Sequence, residues 1–461
     1  MEEREEANKM VIGQSKNKGI VVMPLELDFG ASHQVIEIQK DSNCKALLGY
    51  NLDDEKMILL KEALKRADKV LVYRLNTGTH ATYVSRNFRI SAKSSGSRGN
   101  DISVKLIPFT RENWGQVYKN DNEEEWGQVY KNGGEKENEG QVCKAAVVTL
   151  IKGECVDWQV IDGETEVRNN DYVSFLGNIE EVLMGEEREL VLSGGNSYKA
   201  KESDWEEFFE TIRGYEWCVM GVTEELIKIK QRTTEFIREL REAGRSVYGV
   251  VANYEVANCM GIISIANGVK LENGHVLNRN ECVAWMAGKM ASFKLKADEV
   301  DNIYEGAIDS DKKVTRAQLN KWTKQGQIIF YKVRNRVAIV EDVNTFKAFT
   351  PKWGEVYREN AFIRLVDIMK EDFHKLMRIY YVRDIRLGKS REESKIYFKE
   401  ICSKYLCALQ SRGILYEVNV DRDLEVFLAE DVEGIDISLI LKADKIKDKT
   451  YVEIPYNSLI S

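Results

Sequence analysis

The chain has 461 residues, of which 43% are hydrophobic and 31% are charged, and its formal net charge is −8. A chain of this length rarely folds around one core, so roughly three domains are expected. No apolar run approaches the ~18–20 residues of a membrane span, and the interspersed, net acidic charges disfavour contact with a phosphate backbone. The composition therefore predicts a multidomain globular protein with no membrane insertion and no direct binding to nucleic acid.

Two further features indicate the compartment. The first six residues, Met1 to Glu6, are mostly acidic, and no apolar stretch follows them as it would in a secretory signal. The eight cysteines include no C-x-x-C pair, and most lie in apolar segments where a thiol acts as a small hydrophobic group. We expect a protein that is made and kept in a cytoplasm, with reduced cysteines.

The N-terminal part alternates strands and helices. Residues 1–17 are polar and are predicted to form an arm that orders only against a partner. Strands are predicted at Gly19–Leu27 and Gln34–Ile38, followed by a helix from Met57 to Ala67 and a buried strand at Val70–Tyr73.

The same alternation returns further along the chain. A strand is predicted at Tyr215–Val222, a helix at Thr223–Gly244 and a strand at Val247–Val251. We therefore predict an α/β core body made of residues 18–84 and 197–349.

Residues 85–196, between the two halves of this body, contain only short β-type runs separated by turn residues. This pattern predicts an inserted β-rich domain. Near its start, the segment Gly96-Ser97-Arg98-Gly99-Asn100 is predicted to form a turn between two strands. A phosphate-binding loop would need Gly-Lys-Ser/Thr before a helix, so a phosphate site is not indicated.

A tandem repeat lies within the insert. The sequence Trp-Gly-Gln-Val-Tyr-Lys-Asn occurs at residues 114–120 and again at 126–132, between acidic spacers. A 12-residue step with two copies is too short for a solenoid. Residues 110–143 are interpreted as a flexible acidic segment, and a surface loop that offers paired Trp and Tyr side chains to a partner is the open alternative.

The chain becomes helical again after residue 350. Apolar spacing predicts one long helix from Phe362 to Tyr380 and a second from Ile396 to Leu409, followed by strands at Leu424–Leu428 and Ile435–Leu441. Residues 350–446 are therefore a predicted C-terminal domain. Residues 447–461 are predicted to be an extended arm, whose strand Tyr451–Ile454 has no partner in its own chain.

No catalytic residue, metal site or cofactor is predicted. The four histidines, His33, His80, His275 and His374, lie on separate segments, and no two of them have the spacing of a helical zinc site. This pattern favours a structural or binding protein over an enzyme.

Several segments together resemble the contractile phage tail sheath family, in the branch found in Gram-positive prophages and phage-tail-like bacteriocins. They occur in order along most of the chain: Gly19–Gly30, Glu62–Leu75, Ser91–Val104, Asp157–Val160, Asn170–Val173, Leu192–Gly195, Gly261–Ile263, Asn267–Gly268, Ala284–Gly288, Glu341–Phe346, Asn360–Asp367 and Leu409–Gly413. The tandem repeat and the segment Lys294–Glu305 depart from the family pattern.

The resemblance implies a non-enzymatic subunit that stacks around a rigid tail tube and contracts to drive the tube through a cell envelope. The expected partners are neighbouring sheath subunits in homo-hexameric rings or helical strands, the tail tube protein, and the baseplate and tail terminator proteins. The expected location is a virion tail or phage-tail-like particle that is assembled in the cytoplasm of a bacterial host. The insert would face outward and the C-terminal domain would face the tube.

The two terminal arms are the expected links between subunits, because backbone hydrogen bonds to a neighbour's sheet need little side-chain specificity. The candidate linking residues are Met10, Val11, Ile12, Tyr451, Val452, Glu453 and Ile454. A basic run is the candidate contact with an acidic tube surface, and it comprises Arg378, Arg383, Arg386, Lys389 and Arg391. Solvated charges around a helix–helix turn are the open alternative for this run.

Two other functions stay open at this point. One is an α/β enzyme that acts on a small ligand at the carboxyl edge of its strands. The other is the sheath of a secretion-type injection apparatus, which would use the same physical mechanism.

Overall fold

The computed structural model describes residues 18–108, 144–162, 167–177, 186–294, 299–428, 435–442 and 450–454. In these residues the strands are β1 Ile20–Leu25, β2 Val35–Ile38, β3 Lys69–Arg74, β4 Gly78–Thr79, β5 Thr82–Val84, β6 Phe88–Ala92, β7 Ile102–Pro108, β8 Lys144–Ile151, β9 Glu154–Asp162, β10 Val173–Gly177, β11 Arg188–Val191, β12 Asn196–Ser197, β13 Val219–Gly221, β14 Tyr248–Ala252, β15 Ile262–Ile265, β16 Val269–Leu271, β17 Val276–Leu277, β18 Ala307–Ser310, β19 Gln327–Ile328, β20 Phe330–Val333, β21 Arg336–Ile339, β22 Leu424–Leu428, β23 Ile435–Leu441 and β24 Thr450–Ile454. The α-helices are α1 Cys44–Leu48, α2 Ile58–Leu64, α3 Glu202–Arg213, α4 Ile227–Glu242, α5 Cys282–Ala291, α6 Arg316–Gln325, α7 Asn360–Leu376, α8 Arg383–Arg386, α9 Arg391–Ser411 and α10 Val420–Asp423.

Seven strands form the central sheet, in the order β19-β15-β14-β13-β1-β3-β2. Neighbouring strands are parallel except at one edge, where β2 runs antiparallel to β3. The inner strands are almost entirely buried because helices cover both faces of the sheet. The α/β core that the sequence predicts is therefore present, and it accompanies the predicted β-rich and helical parts in a multidomain α/β and α+β fold.

The two faces of the sheet have separate apolar cores. On one face, α5 packs beside α2, and every residue of α5 is buried. On the other face, α3 and α4 bring together the aromatic side chains of Trp205, Phe208, Phe209 and Phe236. Burying one large apolar side chain stabilises the folded state by about 1.5–3 kcal/mol. The packing of both helical layers therefore stabilises the sheet from both sides.

The β-rich segment interrupts the core between β3 and β13. Its sheets β10-β6-β5 and β11-β7-β8-β9 enclose an apolar core of their own, to which Phe29 of the core body contributes. The segment begins before residue 85, because β4 pairs with β12 and β5 pairs with β6. The tandem repeat and the rest of residues 110–143 lie outside the described residues.

The glycine-rich turn after β6 joins this segment to the core body. Gly96 has a φ of +129°, and a short 3₁₀ turn, Ser97–Asp101, follows it, so the predicted turn is confirmed. The Arg98 side chain lies over the Tyr50 ring at 4.1 Å and donates from Nε to the Gly49 carbonyl oxygen at 3.0 Å. The backbone of the turn and the buried guanidinium thus attach the β-rich segment to the loops at the edge of the central sheet.

The C-terminal region combines helices with a small antiparallel sheet in the order β22-β23-β24. The single long helix predicted from Phe362 to Tyr380 is interrupted, because α7 ends at Leu376 and a π-helical turn, Met377–Val382, leads into α8. The apolar side of the small sheet packs against α9 and shares one continuous core with α5 and α7. The C-terminal region is therefore fused to the core body.

Two buried groups of polar side chains, which we call the α7 clamp, fix α7 on the core body. In the first group, Asp342 accepts hydrogen bonds from Lys289 of α5 at 2.6 Å and from Arg364 and Asn360 of α7 at 2.8 and 2.7 Å. Burial alone would disfavour the carboxylate, but the adjacent Lys289 and Arg364 cations outweigh it and hold the pKa of Asp342 well below its usual range.

The second group of the clamp lies one turn further along α7. Asp367 accepts two hydrogen bonds from Arg241 of α4, at 2.8 and 3.1 Å, and one from the Tyr248 hydroxyl of β14 at 2.5 Å. Asn360, Arg364 and Asp367 are four and three residues apart, so they lie on one face of the helix. This face is turned toward the central sheet and its helices.

The turn at Gly96 generates the first prediction. A Cβ added there would lie 2.0 Å from the Asp28 carbonyl oxygen, whereas a Cβ at Gly194, which also has a positive φ, has no neighbour within 4 Å. We expect Gly96→Ala to lower the free energy of unfolding by about 2–4 kcal/mol through strain and overlap. Gly194→Ala should cost only about 1 kcal/mol. Thermal unfolding of both variants checks this, and equal losses would contradict it.

The clamp generates the second prediction. Asp342→Asn leaves Lys289 and Arg364 buried without their counter-charge and should lower the unfolding free energy at pH 7 by about 3–5 kcal/mol. The carboxylate pKa is depressed in the folded state, so its contribution is complete above about pH 5 and declines as the pH falls below about 4. The difference between variant and parent should therefore shrink in acid.

Denaturant unfolding at pH 7 and pH 3 measures this difference. Asp309→Asn is the matched control, because Asp309 is half-exposed and pairs with Lys332 at 3.3 Å. Such a pair contributes less than about 1 kcal/mol. If the two substitutions lowered the unfolding free energy equally, the buried clamp would contribute no more than an exposed ion pair.

Candidate assembly surfaces

The predicted C-terminal linking strand is paired within its own chain. Tyr451, Val452, Glu453 and Ile454 lie in β24, which runs antiparallel to β23. The expectation that this strand has no partner in its own chain is therefore wrong. The physical reason is its alternation: Val452 and Ile454 are 2% exposed and complete the apolar face that β23 begins. Met10, Val11 and Ile12 lie outside the described residues.

Side chains from the segment before α7 also hold β24. Lys352 forms an ion pair with Glu453, and the Tyr357 hydroxyl donates to the Tyr451 carbonyl oxygen at 2.8 Å. On the exposed face, the Tyr451 hydroxyl lies 3.1 Å from Ser438 Oγ of β23. On the edge away from β23, side chains such as Lys352 and Tyr357 hold β24, and no further strand pairs with it in the described residues.

A cavity of about 280 Å³ lies beside β24, between this strand, α7 and the core body. Three consecutive strand residues, Tyr451 to Glu453, line it. Because consecutive residues of a strand point to opposite faces, a cavity that touches all three lies along the edge of the strand. β24 is the outer strand of its sheet in the described residues, so its edge is the place where a further strand can add.

The charges in this cavity are unevenly paired. Arg241 binds Asp367 and Lys352 binds Glu453, as described above. Lys370 of α7 also lines the cavity, and among the described residues no hydrogen bond or ion pair to its ammonium is found. Burial lowers the pKa of Lys370, and the nearby Asp367 carboxylate offsets only part of this effect.

The candidate tube-contact residues follow one another through the turn between α7 and α9. Arg378 lies in the π-helical turn, Arg383 and Arg386 in α8, Lys389 in the following loop and Arg391 at the start of α9. Arg378, Arg383 and Arg386 are exposed, while the Lys389 ammonium is 2.7 Å from the buried Asp384 carboxylate. Lys389 therefore stabilises the turn itself.

Exposed apolar side chains accompany these charges. Leu387 is 72% exposed, Ile396 is 62% exposed and Ile379 is 52% exposed. Nearby on α7, burial together with Lys370 and Arg378 lowers the pKa of His374 to about 4, so this histidine adds no charge near neutral pH. The turn thus presents an exposed surface that is both basic and apolar.

In the described part of the chain, no group of three or more His, Cys, Asp or Glu residues is placed to hold a metal ion. The seven described cysteines form no disulfide with one another. No helix in the described ranges is long and apolar enough to cross a bilayer.

The clamp and the cavity were not predicted from the sequence. A signal was present, because the polar residues Asn360, Arg364 and Asp367 recur at helical spacing in a helix whose neighbouring residues, Phe362, Ile363 and Val366, are apolar and buried. Polar residues within an apolar stripe indicate buried ion pairs when they recur at helical spacing. Their partners, Asp342 and Arg241, could not be identified from the sequence because they lie outside this helix, 18 to 126 residues away.

Two family profiles match the chain. "Tail sheath protein Gp18 domain III N-terminal region" matches residues 18–75, and "Phage tail sheath protein central domain" matches residues 198–345. Together the two matched ranges contain all seven strands of the central sheet. The β-rich segment lies in the gap between them.

Similar proteins match over nearly the whole chain. The phage-like element PBSX protein XkdK of Bacillus subtilis is 24% identical, over 95% of this chain and 93% of its own length. The crystal structure of a sheath tail protein from Desulfitobacterium hafniense is 26% identical with a TM-score of 0.80, and covers 95% of this chain and 96% of its own.

A second crystal structure, of a sheath tail protein from Listeria innocua, shows the same fold at 24% identity and a TM-score of 0.72, covering 98% of this chain and 97% of its own. The profile matches, the shared fold and the order of the resembling segments all indicate the same family. The chain belongs to the contractile phage tail sheath family and has a structural role as a sheath subunit.

Proposed function

We propose that this sheath subunit polymerises around a tail tube and contracts to drive the tube through a cell envelope, without catalysing a reaction. The partners would be further copies of the chain, in hexameric rings or helical strands, with the tube, baseplate and tail terminator proteins. The assembly would form a virion tail or phage-tail-like particle in a bacterial cytoplasm. The observation that carries the proposal is the outer edge of β24, which offers a neighbouring subunit a place to add a strand.

Strand exchange would link the subunits. Each added backbone hydrogen bond contributes about 0.5–1.5 kcal/mol, so one short arm binds modestly, and many arms in a polymer make a connected mesh. In the free subunit β24 is already paired with β23 of its own chain. The exchange would therefore be a swap, in which β24 leaves this β23 and pairs with β23 of a neighbour. The N-terminal arm, with Met10, Val11 and Ile12, would add beside it.

The mesh allows contraction to be a rearrangement of rigid bodies. The α7 clamp keeps the C-terminal sheet fixed to the core body, while the linking strands keep neighbouring bodies connected. Contraction then proceeds downhill if the compact arrangement buries more surface between subunits, and it needs no nucleotide.

A pair of cysteines tests the swap. In a Cys407→Ser background, which removes an exposed thiol, Ser438→Cys with Glu453→Cys places one cysteine on β23 opposite another on β24. Directly opposed residues of antiparallel strands lie ~4.5–5.5 Å apart between Cα atoms, within the range of a disulfide. Oxidised monomers should contain a disulfide within one chain, and oxidised polymers should give covalent ladders on a denaturing gel.

Glu425→Cys with Ser438→Cys is the matched control for the swap. These residues are opposed on β22 and β23, which the swap leaves together. The control should give single chains in both states. Single chains from polymers of both variants would refute exchange of β24. Deletion of residues 447–461 would not separate a lost link between subunits from a lost core contact, because it also removes the buried Val452 and Ile454.

The basic turn between α7 and α9 would contact an acidic tube surface. Arg383 and Arg386 are exposed on α8, and pairs between exposed charges are weak and sensitive to salt. Such a contact would hold the sheath on the tube and still allow its release. The exposed Leu387 beside them would add apolar contact.

Charge reversal tests the tube contact. Arg383→Glu with Arg386→Glu should weaken co-sedimentation of the subunit with its tube about tenfold at low ionic strength, since each reversal replaces attraction by repulsion. Arg316→Glu with Lys321→Glu on α6 makes the same change in charge at exposed positions away from the turn and should have little effect. Unchanged tube binding by the α8 variant at low salt would remove the turn from the interface.

A further inference from the structure

One edge of the core body is strongly basic. Residues 312–340, which comprise α6, β19 and the β20–β21 hairpin, contain eight lysine and arginine residues and no aspartate or glutamate. All eight side chains are exposed. Among the described residues an ion-pair partner is found for one of them, Lys332, which lies 3.3 Å from Asp309. In a chain with a net charge of −8, this surface, which we call the basic edge, is suited to an acidic partner.

The basic edge also carries apolar groups that remain open to solvent. No residue of α6 is buried, although helices in proteins are stabilised mainly by the packing of one face. In the β20–β21 hairpin, Tyr331 is 39% exposed and Val333 is 55% exposed. Aromatic and apolar side chains beside arginine are typical of the surfaces through which proteins bind one another. The basic edge therefore fits a protein partner.

The tip of the hairpin carries an arginine at a local cost. Arg334 has a φ of +58°, in the left-handed region that glycine and asparagine adopt most easily. A glycine would suit this backbone better than an arginine does. The stability of the turn therefore does not explain why an exposed guanidinium lies at its tip.

An acidic surface lies toward the other edge of the central sheet. α3 packs on β3 through Phe208 and Tyr73, whose ring centroids are 5.2 Å apart. Glu207 of α3 lies 3.0 Å from His33, two residues before β2, the strand at that edge. The two charged surfaces are therefore on opposite sides of the core body.

α3 and α4 together have an excess of negative charge. Residues 202–242 contain eleven carboxylate side chains and six cationic ones. Some carboxylates are paired with cations of α4, such as Glu206 with Arg232 at 3.2 Å. Glu210 and Glu216 are exposed, and no ion pair to either is found in the described residues. α3 and the loop after it therefore offer carboxylates to a cationic partner.

These two surfaces cannot meet within one chain. β19 and β3 are five strand-to-strand steps apart in the central sheet, a distance of about 24 Å. A contact between two different surfaces of successive copies is head to tail, and such contacts build rings or open helices. Opposite charges on opposite sides of one body thus favour a repeating assembly over a closed pair.

We propose that the basic edge of one copy of this chain contacts α3 of the next copy, so that the core bodies join head to tail. This rests on the proposed function, and it adds to strand exchange a second contact, made between the bodies themselves. Arg334 and Arg336 at the hairpin tip, together with the cations of α6, pair with carboxylates such as Glu210 and Glu216. The charges fix which side of each body faces its neighbour.

Charge exchange tests this contact. Arg334→Glu with Arg336→Glu, and separately Glu210→Lys with Glu216→Lys, should each raise the polymerisation threshold, the protein concentration required for assembly, about tenfold. A mixture of the two variants should assemble near the parent threshold as alternating copies, because each reversed surface then meets its complement. A chain with all four substitutions should also assemble with itself. A mixture that assembles no better than either variant alone would overturn the proposal.

Two further variants separate lost contact from altered folding. Lys404→Glu with Arg412→Glu makes the same change in charge at exposed positions on α9 and at its end, and should leave the threshold unchanged. Arg334→Gly removes one cation and suits the positive φ, so it should keep or raise the unfolding temperature and still raise the threshold about two- to fivefold. An unchanged threshold for Arg334→Gly would count against the contact.

Crosslinking locates the contact in the full-length polymer. A water-soluble carbodiimide activates a carboxylate, which then forms an amide with an adjacent amine and releases the carbodiimide as a urea. Polymers of mixed ¹⁵N-labelled and unlabelled chains should yield peptides that join Lys321 or Lys324 of one copy to a glutamate of residues 202–216 of another. The Lys332–Asp309 pair, joined within one chain, is the internal control. Polymers that give this internal crosslink but none between α6 and α3 would overturn the proposal.

The contact is separable from tube binding and from the proposed function. Below the polymerisation threshold subunits bind the tube singly, so the α6 variant Arg316→Glu with Lys321→Glu is a control for the α8 turn under that condition. If the unmodified chain formed no polymer at all, the proposed function would fail. Polymerisation that is indifferent to the charges of the basic edge and of α3 would overturn this inference alone.

Discussion

The α7 clamp is the constraint on which the rest of the structure depends. Asp342 and Asp367 tie one face of α7 to α5 and α4, and the same helix forms a wall of the cavity beside β24. Buried ion pairs add little net stability over apolar packing, but loss of one partner is costly. Their effect is therefore to exclude other orientations of α7, which gives the C-terminal sheet one position relative to the core body.

β24 is attached to its own chain by a different kind of interaction from that which holds α7. The strand contributes two buried side chains, one antiparallel ladder with β23, and side-chain contacts from Lys352 and Tyr357. An identical strand from a neighbour would make the same contacts. The proposed swap would therefore change few interactions, and its equilibrium would depend mainly on the local concentration of subunits and on residues 443–449, which connect the two strands in the sequence.

The sequence predicts local pattern well and long-range pairing poorly. Alternation predicted the strands of the C-terminal sheet, and helical spacing predicted α9, because both depend on neighbouring residues. The partner of β24 was missed because alternation shows that a face is buried but not which strand lies beside it. The predicted strand from Tyr215 is shortened to Val219–Gly221, since the Trp217 indole instead donates to the Ile212 carbonyl oxygen at the end of α3.

The two proposed interfaces of the C-terminal region differ in the forces that hold them. The linking strands would rest on backbone hydrogen bonds and buried apolar side chains, which salt affects little. The basic turn carries exposed guanidinium groups, and salt screens their attraction to other charges over a distance of about 8–10 Å. In the proposed function, contraction would require the sheath to release the tube while its subunits stay joined. A tube contact on α8 would then break in salt without loss of the strand contact on β24, and the clamped α7 would keep both contacts on one rigid body.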